Sequence, residues 1–388
     1  MHSDLVPLPH SLHRDRTSGT LNFAWAAAVV CILCIISFPA LPEGYGADAD
    51  AWLVAQASTN IWEKGEYSPS RLPGYPLHEI ACAPLVAFGG CTASNAGTLV
   101  CTVLLVVVWF RMARKHASHP RIAFLLLPLT PLVIVNAAVT LDYLWSLLFV
   151  VMALDFTLRR RHVAAAIAIG TAAGFRLSNL GAVIPLFVMM YADGTSTANL
   201  KKFIAIVGAV IVVAYMPLFW TFGPIGWILK TRSEMSDVLN LQLAQRGEMF
   251  LYRTLYALGP AATITAGWIL FARRKPLREQ IRRRDPMVAG ALAALAIFLV
   301  QFLCLPLERA YLLAALPFLY LLVDRHLSSR SGILFLACVV VLNVVNVDVV
   351  RHGREGPQFA PGIYPGRIAE TWAERQEFKS AMEHHLTR

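Results

Sequence analysis

The sequence predicts an all-α membrane protein, built as a bundle of about eleven transmembrane helices with amphipathic helices at its outer face. Hydrophobic residues make up 57% of the 388 residues, charged residues make up 15%, and the mean hydropathy is +0.56. Apolar runs recur along the whole chain, and lysines and arginines form short clusters between them. This arrangement is typical of polytopic membrane proteins and argues against a nucleic-acid partner, despite a net charge of +10.

The apolar runs are long enough, or nearly so, to cross roughly 30 Å of hydrocarbon. We place them at residues 21–42, 94–112, 121–138, 143–158, 203–222, 254–272, 287–305, 310–323 and 331–349. Residues 162–191 form a longer run that is interrupted by Arg176, Ser178 and Asn179. We interpret it as two short helices that meet at a polar bend.

The basic clusters predict the orientation of the bundle. Placing the N-terminus in the cytoplasm also places most lysines and arginines there, as the positive-inside rule requires. The first run is expected to be a retained anchor, since no small-residue cleavage site follows it. No Asn-x-Ser/Thr sequon occurs, which favours a bacterial plasma membrane. We expect a cytoplasmic lead (1–20), a membrane domain (21–350) with outer loops at 43–93 and 222–253, and a short outer tail (351–388).

The first outer loop is the main polar interruption of the apolar sequence. Asp50 begins an amphipathic pattern that runs to Lys64 and suits a helix lying in the outer interface. Gly65 ends that helix, and the following SPSRLPGYP is predicted to be a loop, because three prolines and a glycine exclude a helix. Its position beside the surface helix favours an ordered loop. Residues 77–89 are expected to dip back toward the membrane, before Ser94 or Asn95 caps the next span.

Three later connections also supply ionisable residues at the outer face. Asp142 lies in a very short turn, where it is either a helix N-cap or a functional carboxylate. Arg176 either snorkels to the headgroups or binds an anion in a cavity, and we favour the second interpretation. Glu308 and Arg309 interrupt two spans, and they either pair with each other or contribute to a site. The charges of the 222–253 loop are mostly explained by a solvated face.

If the helix ends that carry these residues converge, they form one cavity open to both lipid and the outer compartment. Arginine offers planar, bidentate donors to phosphate, and an aspartate can accept the proton of an attacking hydroxyl. Such a cavity suits a lipid-linked anion. We expect the substrate to contact a set of residues drawn from three of the four connections: Arg71, Tyr75, His78, Glu79, Arg176, Glu308 and Arg309.

These residues occur in an order that resembles the GT-C superfamily of integral membrane glycosyltransferases. One span is followed by a DxD-type motif (Asp48 and Asp50), a surface helix and a Pro-rich loop. The stretches LDYLWSLLFVVMALDF, AIAIGTAAGFRLSNLGAVIP and PLERAYLLAALPFLYLL are similar to later spans of the family, in the same order. The resemblance covers the chain up to about residue 350.

The resemblance implies a polyprenyl-phosphate-linked sugar donor, with transfer on the outer face to a lipid, glycan or protein acceptor. It assigns Asp48 or Asp50 as the general base and Asp142 as the second acidic position. Because Asp50 begins the helix, it is expected to be a cap while Asp48 does the chemistry, although the reverse assignment stays open. Arg71 resembles a basic residue of some mannosyltransferase branches, and Arg176 and Arg309 stand where the donor phosphate would be held.

Two further expectations concern cofactors and competing functions. No obligatory cation is predicted, since two acids are too few ligands to infer a metal site and a lipid-phosphate donor does not require one. The alternative function is a transporter or lipid-glycan flippase, which needs ionisable groups near the bilayer midplane and matching repeats. A partner-binding subunit is disfavoured, because a scaffold does not need four converging polar ends.

Overall fold

Helices account for most of the computed structural model, which describes residues 22–236, 242–353 and 356–386. The predicted cytoplasmic lead lies outside these ranges. The helices are α1 (Phe23–Ser37), α2 (Ala49–Lys64), α3 (Pro76–His116), α4 (Pro120–Leu126), α5 (Pro131–Asn136), α6 (Tyr143–Leu158), α7 (His162–Phe175), α8 (Val183–Ala192), α9 (Thr197–Phe222), α10 (Pro224–Glu234), α11 (Leu243–Leu258), α12 (Pro260–Ala272), α13 (Arg274–Arg282), α14 (Pro286–Cys304), α15 (Leu316–Asp324), α16 (Ser329–Val344) and α17 (Arg367–Leu386). Short 3₁₀ helices cover Phe38–Ala40, Leu177–Ala182 and Arg309–Ala315.

The helices confirm a multi-pass membrane bundle, but they do not confirm a count of eleven spans. Within the described ranges, four helices are long and apolar enough to cross a membrane: α1 with its 3₁₀ extension, α3, α9 and α14. Four shorter apolar helices, of 10–17 residues, accompany them at Tyr143–Leu158, His162–Phe175, Leu177–Ala192 and Ser329–Val344. The other predicted spans are interrupted.

Prolines and glycines cause these interruptions. The predicted span 121–138 is split into α4 and α5, which lie on either side of Pro128, because proline lacks the amide hydrogen that a continuous helix needs. The predicted span 254–272 is also wrong as one helix. It breaks at Gly259, where φ is +89°, and α11 and α12 meet there at 87°.

Helix α3 consists of two helices on either side of Gly90, whose φ of 56° and ψ of −142° are not helical. Residues 77–89, predicted to be a short segment separate from the next span, lie in the first of these helices, and the predicted span 94–112 lies in the second. Asn95 does not cap a helix, because its side chain donates to the carbonyl oxygens of Leu41 and Gly44, both at 2.9 Å.

The polar bend within residues 162–191 is confirmed. Helix α7 ends at Phe175, Arg176 has an extended backbone, and a 3₁₀ turn leads into α8. Helix α6 packs against both α3 and α7, α7 packs against α9, and α8 packs against α14. This packing brings Asp142, at the start of α6, beside the bend at Arg176.

The C-terminal segment contains a β-hairpin that the sequence analysis did not predict. Strands β1 (Val345–Gly353) and β2 (Gly356–Pro365) pair antiparallel, with Val345 opposite Pro365. Apolar and polar residues alternate in Val345–Val350, which is typical of a strand. This segment directly follows an apolar helix, so the sequence predicts it as the end of the span 331–349. The predicted tail also contains α17, which packs back onto the membrane domain.

Candidate functional site

Two cavities lie beside the helix ends that carry the predicted site residues. The first, which we call the aromatic cavity, encloses about 370 Å³ and is lined mainly by Tyr75, Arg176, Trp227, Phe298, Phe302 and Tyr311. The second, which we call the basic cavity, encloses about 360 Å³, and its polar lining includes Asp48, Asn136, Arg253, Glu308, Arg309, Arg367 and Glu374. One cavity is therefore mostly apolar, whereas the other is rich in charged groups.

The pair formed by Asp142 and Arg176 lies deepest in the site. These residues are 1% and 4% exposed, and Arg176 Nη1 donates to both Asp142 carboxylate oxygens, at 3.0 and 2.9 Å. Asp142 occupies the N-cap position of α6, but its side chain makes no capping hydrogen bond. The ion pair therefore takes the place of the cap, and Arg176 does not snorkel to the headgroups.

Three tyrosines surround the Arg176 guanidinium. Its central carbon lies 4.1 Å from the ring centre of Tyr143, 4.6 Å from that of Tyr311 and 5.6 Å from that of Tyr75. Tyrosine faces attract a guanidinium electrostatically, more strongly when water is excluded. The Arg176 Nε is buried and has no hydrogen-bond partner. The guanidinium thus keeps a donor available beside the aromatic cavity.

Arg71 connects the first outer loop to the segment after α14. Its Nη1 forms an ion pair with Asp50 and lies 3.6 Å from Glu308. Its guanidinium also lies over the ring of Tyr75, 5.1 Å from the centre, while its Nη2 is buried without a hydrogen-bond partner. Arg71 and Arg176 therefore face the same tyrosine ring, and each retains an unpartnered donor nitrogen.

The two acids of the DxD-type motif have different surroundings. Asp48, and not Asp50 as predicted, is the N-cap of α2, where its Oδ1 accepts a hydrogen bond from the Asp50 amide at 2.9 Å. Asp50 lies in the first turn and is neutralised by Arg71. Asp48 lines the basic cavity, and burial raises its pKa although the nearby Arg71 opposes this. A carboxylate with a raised pKa is a stronger base.

Asp48, Asp50 and Glu308 form a cluster of three carboxylates, whose oxygens lie within 4.8 Å of one another. Oxygen ligands at this spacing are compatible with a divalent cation. However, the Arg71 guanidinium already supplies positive charge to Asp50 and Glu308. The cluster therefore fits a cation only if Arg71 moves away.

Glu308 and Arg309 do not pair with each other. Glu308 faces Arg71, and burial raises the Glu308 pKa to about 7 against the opposing effect of that arginine. Arg309 lines the basic cavity, with its guanidinium 5.8 Å from the ring centre of Tyr252. Burial, together with the charges of Arg367 and Arg253, lowers the Arg309 pKa to about 10. The two neighbours in sequence thus serve different parts of the site.

Three residues predicted to contact substrate, Arg71, His78 and Glu79, line neither cavity, but Arg71 contacts Tyr75 and Glu308, which do. His78 is fully buried and packs edge-on against Trp145, with ring centres 5.5 Å apart. Glu79 is also fully buried, and it accepts hydrogen bonds from Tyr67 and from the amide and hydroxyl of Ser70, at 2.7 and 2.5 Å. Glu79 therefore holds the Pro-rich loop in place. His78 and Glu79 are buried because they lie in the first turn of α3. The loop ends at Tyr75, and the helix that follows runs into the protein.

Comparison with known proteins finds the same fold in two solved structures. ArnT from Cupriavidus metallidurans bound to undecaprenyl phosphate matches with a TM-score of 0.54 at 18% identity, over 83% of this chain and 64% of that chain. The apo state of the same protein matches with a TM-score of 0.50 at 17% identity, over 79% and 61%. The chain has the GT-C fold. It spans less than two-thirds of the ArnT chain, and no family model or curated protein matches its sequence.

The structure adds residues to this candidate site that sequence reasoning missed. Tyr143 and Tyr311 contact Arg176, while Arg253 and Arg367 line the basic cavity. Tyr143 directly follows Asp142, and Tyr311 lies two residues after Arg309, so proximity to a predicted site residue was the available signal. The arginines carried no such signal, because charges in amphipathic segments are usually solvated.

The C-terminal helix also supports the first loop of the GT-C fold. Arg375 on α17 is 3% exposed and donates to the carbonyl oxygens of Glu43, Ala138 and Gly44, at 2.8, 2.7 and 2.6 Å. Lys379 adds an ion pair with the Glu43 side chain at 2.9 Å. These contacts hold the backbone that leads directly into Asp48.

Proposed function

We propose that this protein is a membrane glycosyltransferase that transfers a sugar from a polyprenyl-phosphate-linked donor to a hydroxyl of an acceptor. The observation that carries the proposal is the placement of two guanidiniums, those of Arg71 and Arg176, against the ring of Tyr75, which lines the apolar cavity, while Arg71 also faces Glu308 of the carboxylate-lined one. The likeness in fold to ArnT, whose solved structure holds undecaprenyl phosphate, supports the same class of donor.

The aromatic cavity suits the polyprenyl chain and its phosphate. Trp227, Phe298 and Phe302 offer apolar surface to isoprene units, and Arg176 lines the same cavity. Arginine binds phosphate oxygens through parallel, charge-assisted hydrogen bonds. We assign the donor phosphate to the unpartnered nitrogens of Arg71 and Arg176.

Asp48 is the proposed general base. Asp50 is engaged by Arg71, whereas Asp48 has no ion pair within the described ranges and lines the basic cavity. In the transfer, the acceptor oxygen bonds to the anomeric carbon while its proton passes to the Asp48 carboxylate. The bond from the anomeric carbon to the phosphate oxygen breaks, and polyprenyl phosphate leaves with that electron pair. The arginines stabilise the negative charge that develops on the leaving group.

Asp142 acts indirectly in this scheme, as the second acidic position. By accepting two hydrogen bonds from Arg176, it sets the direction of the guanidinium. Arg71 and Arg176 supply the positive charge that a metal provides in other phosphate sites, so we propose that no divalent cation is required.

The opposite end of the bundle carries contacts among the basic connections, such as Arg160 with Asp193 and Arg325 with Asp285. The positive-inside rule then favours that end as cytoplasmic and the site as outward-facing. We propose a plasma membrane location with this orientation, and the absence of Asn-x-Ser/Thr sequons favours a bacterial one. The transferred sugar is a hexose or pentose, and the acceptor is a lipid, glycan or protein.

Reconstitution with polyprenyl-phospho-sugars tests the proposal. The wild type should release polyprenyl phosphate and transfer the sugar, and Asp48→Asn should lower turnover by about 100-fold to 10,000-fold, as expected for loss of a general base. The matched control is Glu63→Gln, which changes an exposed acid of the same helix. Full turnover in Asp48→Asn rules out this base. Movement of intact donor between leaflets without sugar transfer would instead support a flippase.

A further inference from the structure

The basic cavity contains three arginines that come from three separate segments. Arg253 lies on α11, Arg309 begins the 3₁₀ helix after α14, and Arg367 begins α17. Segments far apart in sequence thus bring like charges together, although the mutual repulsion of these charges opposes their approach. Such an arrangement indicates an anionic occupant.

The protein itself neutralises these charges only in part. Arg367 pairs with Glu370 at 2.6 Å, but its Nη2 is buried and has no hydrogen-bond partner. Arg253 donates from Nη1 to the Pro306 carbonyl at 2.7 Å, which directs its guanidinium without neutralising it. In the described part of the chain, no carboxylate lies within ion-pair distance of Arg253 or Arg309.

The acids that line the same cavity do not neutralise Arg253 and Arg309. Glu308 faces Arg71, and the exposed Glu374 forms no ion pair among the described residues. Burial and the charges of Arg367 and Arg253 lower the pKa of Arg309 to about 10, as expected for a guanidinium without a close carboxylate. A phosphate or carboxylate would accept the donors that the protein leaves unused.

The lining of the basic cavity combines two kinds of group. The three arginines line it, and so does Asp48, the base of the proposed function. The donor phosphate is already assigned to Arg71 and Arg176, beside the aromatic cavity. The anion that fits the three arginines is thus a different one.

We propose that the acceptor is itself anionic, and that Arg253, Arg309 and Arg367 bind its phosphate or carboxylate group while its hydroxyl faces Asp48. This inference rests on the proposed function, because it takes Asp48 as the base and the aromatic cavity as the donor site. It adds a substrate class to that function. The anionic group belongs either to a lipid headgroup or to a soluble molecule.

Binding measurements on the full chain in neutral phosphatidylcholine nanodiscs test the inference. The soluble probe is glycerol 3-phosphate, with glycerol as its uncharged control, and the lipid probe is phosphatidylglycerol, with diacylglycerol as its control. The wild type should bind at least one anionic probe and neither control. Arg309→Gln and Arg253→Gln should each weaken that binding by about 10-fold to 100-fold, as expected for loss of a charged hydrogen-bonding group.

Two controls separate this inference from the proposed function. Arg160→Gln, which removes an arginine whose side chain is 71% exposed, should leave binding of the anionic probes unchanged. Polyprenyl phosphate should bind all variants equally, which also shows that they are folded. If the wild type does not bind polyprenyl phosphate, the proposed function is wrong.

Two results would overturn the inference that the acceptor is anionic. One is failure of both anionic probes to bind the wild type, and the other is equal binding by the wild type and both arginine variants. Binding of glycerol 3-phosphate alone supports a soluble acceptor, and binding of phosphatidylglycerol alone supports a lipid.

Discussion

Arg176 donates hydrogen bonds from one guanidinium nitrogen to both carboxylate oxygens of Asp142, in a part of the protein that is almost fully buried. Removing one partner leaves the other charge buried and uncompensated. We therefore expect Arg176→Gln to lower the free energy of unfolding by about 3–5 kcal/mol. Denaturant titration in detergent measures this value.

The exposed pair of Arg160 and Asp193 provides the control for that experiment. Their nitrogen and oxygen atoms lie 2.8 Å apart, but the Arg160 side chain is 71% exposed. Arg160→Gln should change the stability by less than about 1 kcal/mol. Similar losses for Arg160→Gln and Arg176→Gln would show that burial of the Asp142 pair has no special energetic role.

Gly74 should tolerate substitution less well than Gly65. Both have positive φ angles, +88° and +68°, so alanine is strained at either position. A Cβ on Gly74 would lie 2.6 Å from Leu218 Cδ1, whereas one on Gly65 meets nothing within 4 Å. We expect Gly74→Ala to lower the thermal unfolding midpoint more than Gly65→Ala. Adding Leu218→Ala should narrow the difference, and if it does not, steric contact is not its cause.

The sequence predicted the composition of the site better than its geometry. Asp48, Asp50, Arg71, Tyr75, Asp142, Arg176, Glu308 and Arg309 all lie at the cavities or contact residues that line them. Ionisable residues at the ends of apolar runs are costly unless they are paired or face water, so their positions were informative. His78 and Glu79 are also ionisable, but they are fully buried, because Tyr75 ends the loop and α3 begins at Pro76.

The predicted spans were wrong where a helix breaks inside a uniformly apolar stretch, because such a break does not change the hydropathy. Pro128 and Gly259 lie within apolar sequence, so a window of hydrophobicity passes over them without interruption. The β-hairpin was missed for a related reason, since Val345–Val350 continues the apolar pattern of α16. Contacts between distant segments, such as Arg375 with Gly44, had no local signal at all.

The stability of the protein should depend on pH through Glu308. Burial raises its pKa from 4.5 to about 7, so the folded state holds this proton more tightly than the unfolded state. The resulting stability is fully present below pH 4.5 and is lost as the pH rises through 7. Between pH 5 and pH 8 we expect the unfolding midpoint of Glu308→Gln to fall less than that of the wild type.

Glu63→Gln is the control for the pH experiment, because Glu63 is an exposed acid of α2. Its unfolding midpoint should follow that of the wild type over the same range. The raised pKa of Asp48 acts in the same direction, so the Glu308→Gln profile should become flatter without becoming level. A Glu308→Gln profile identical to that of the wild type would contradict the expectation.

Removing divalent cations should leave sugar transfer unchanged. Although the oxygens of Asp48, Asp50 and Glu308 lie within 4.8 Å of one another, Arg71 already supplies positive charge there. Turnover is compared before and after EDTA treatment, with and without added Mg²⁺ or Mn²⁺. Loss of turnover that one of these cations restores would show that the carboxylate cluster binds a metal during the reaction.

Arg375→Ala should impair transfer although Arg375 lines neither proposed substrate site. It removes the donors to three backbone carbonyls, two of which lie in the segment that leads to Asp48. We expect kcat to fall while polyprenyl phosphate binding is retained, because the base moves and the donor cavity does not. Glu377→Gln, at an exposed position of the same helix, should behave as the wild type. If Arg375→Ala loses polyprenyl phosphate binding to the same extent as it loses kcat, the variant is generally misfolded instead.

The contact between Arg375 and Gly44 also restricts how the chain can be threaded through the bilayer. Residues that touch outside the hydrocarbon must lie on the same side, so an even number of crossings separates residue 44 from residue 375. Helices α3, α9 and α14 account for three of these, and three is odd. If each of these three helices crosses once, the bent and short apolar helices supply an odd number of further crossings, and a topology that gives them an even number conflicts with this one contact.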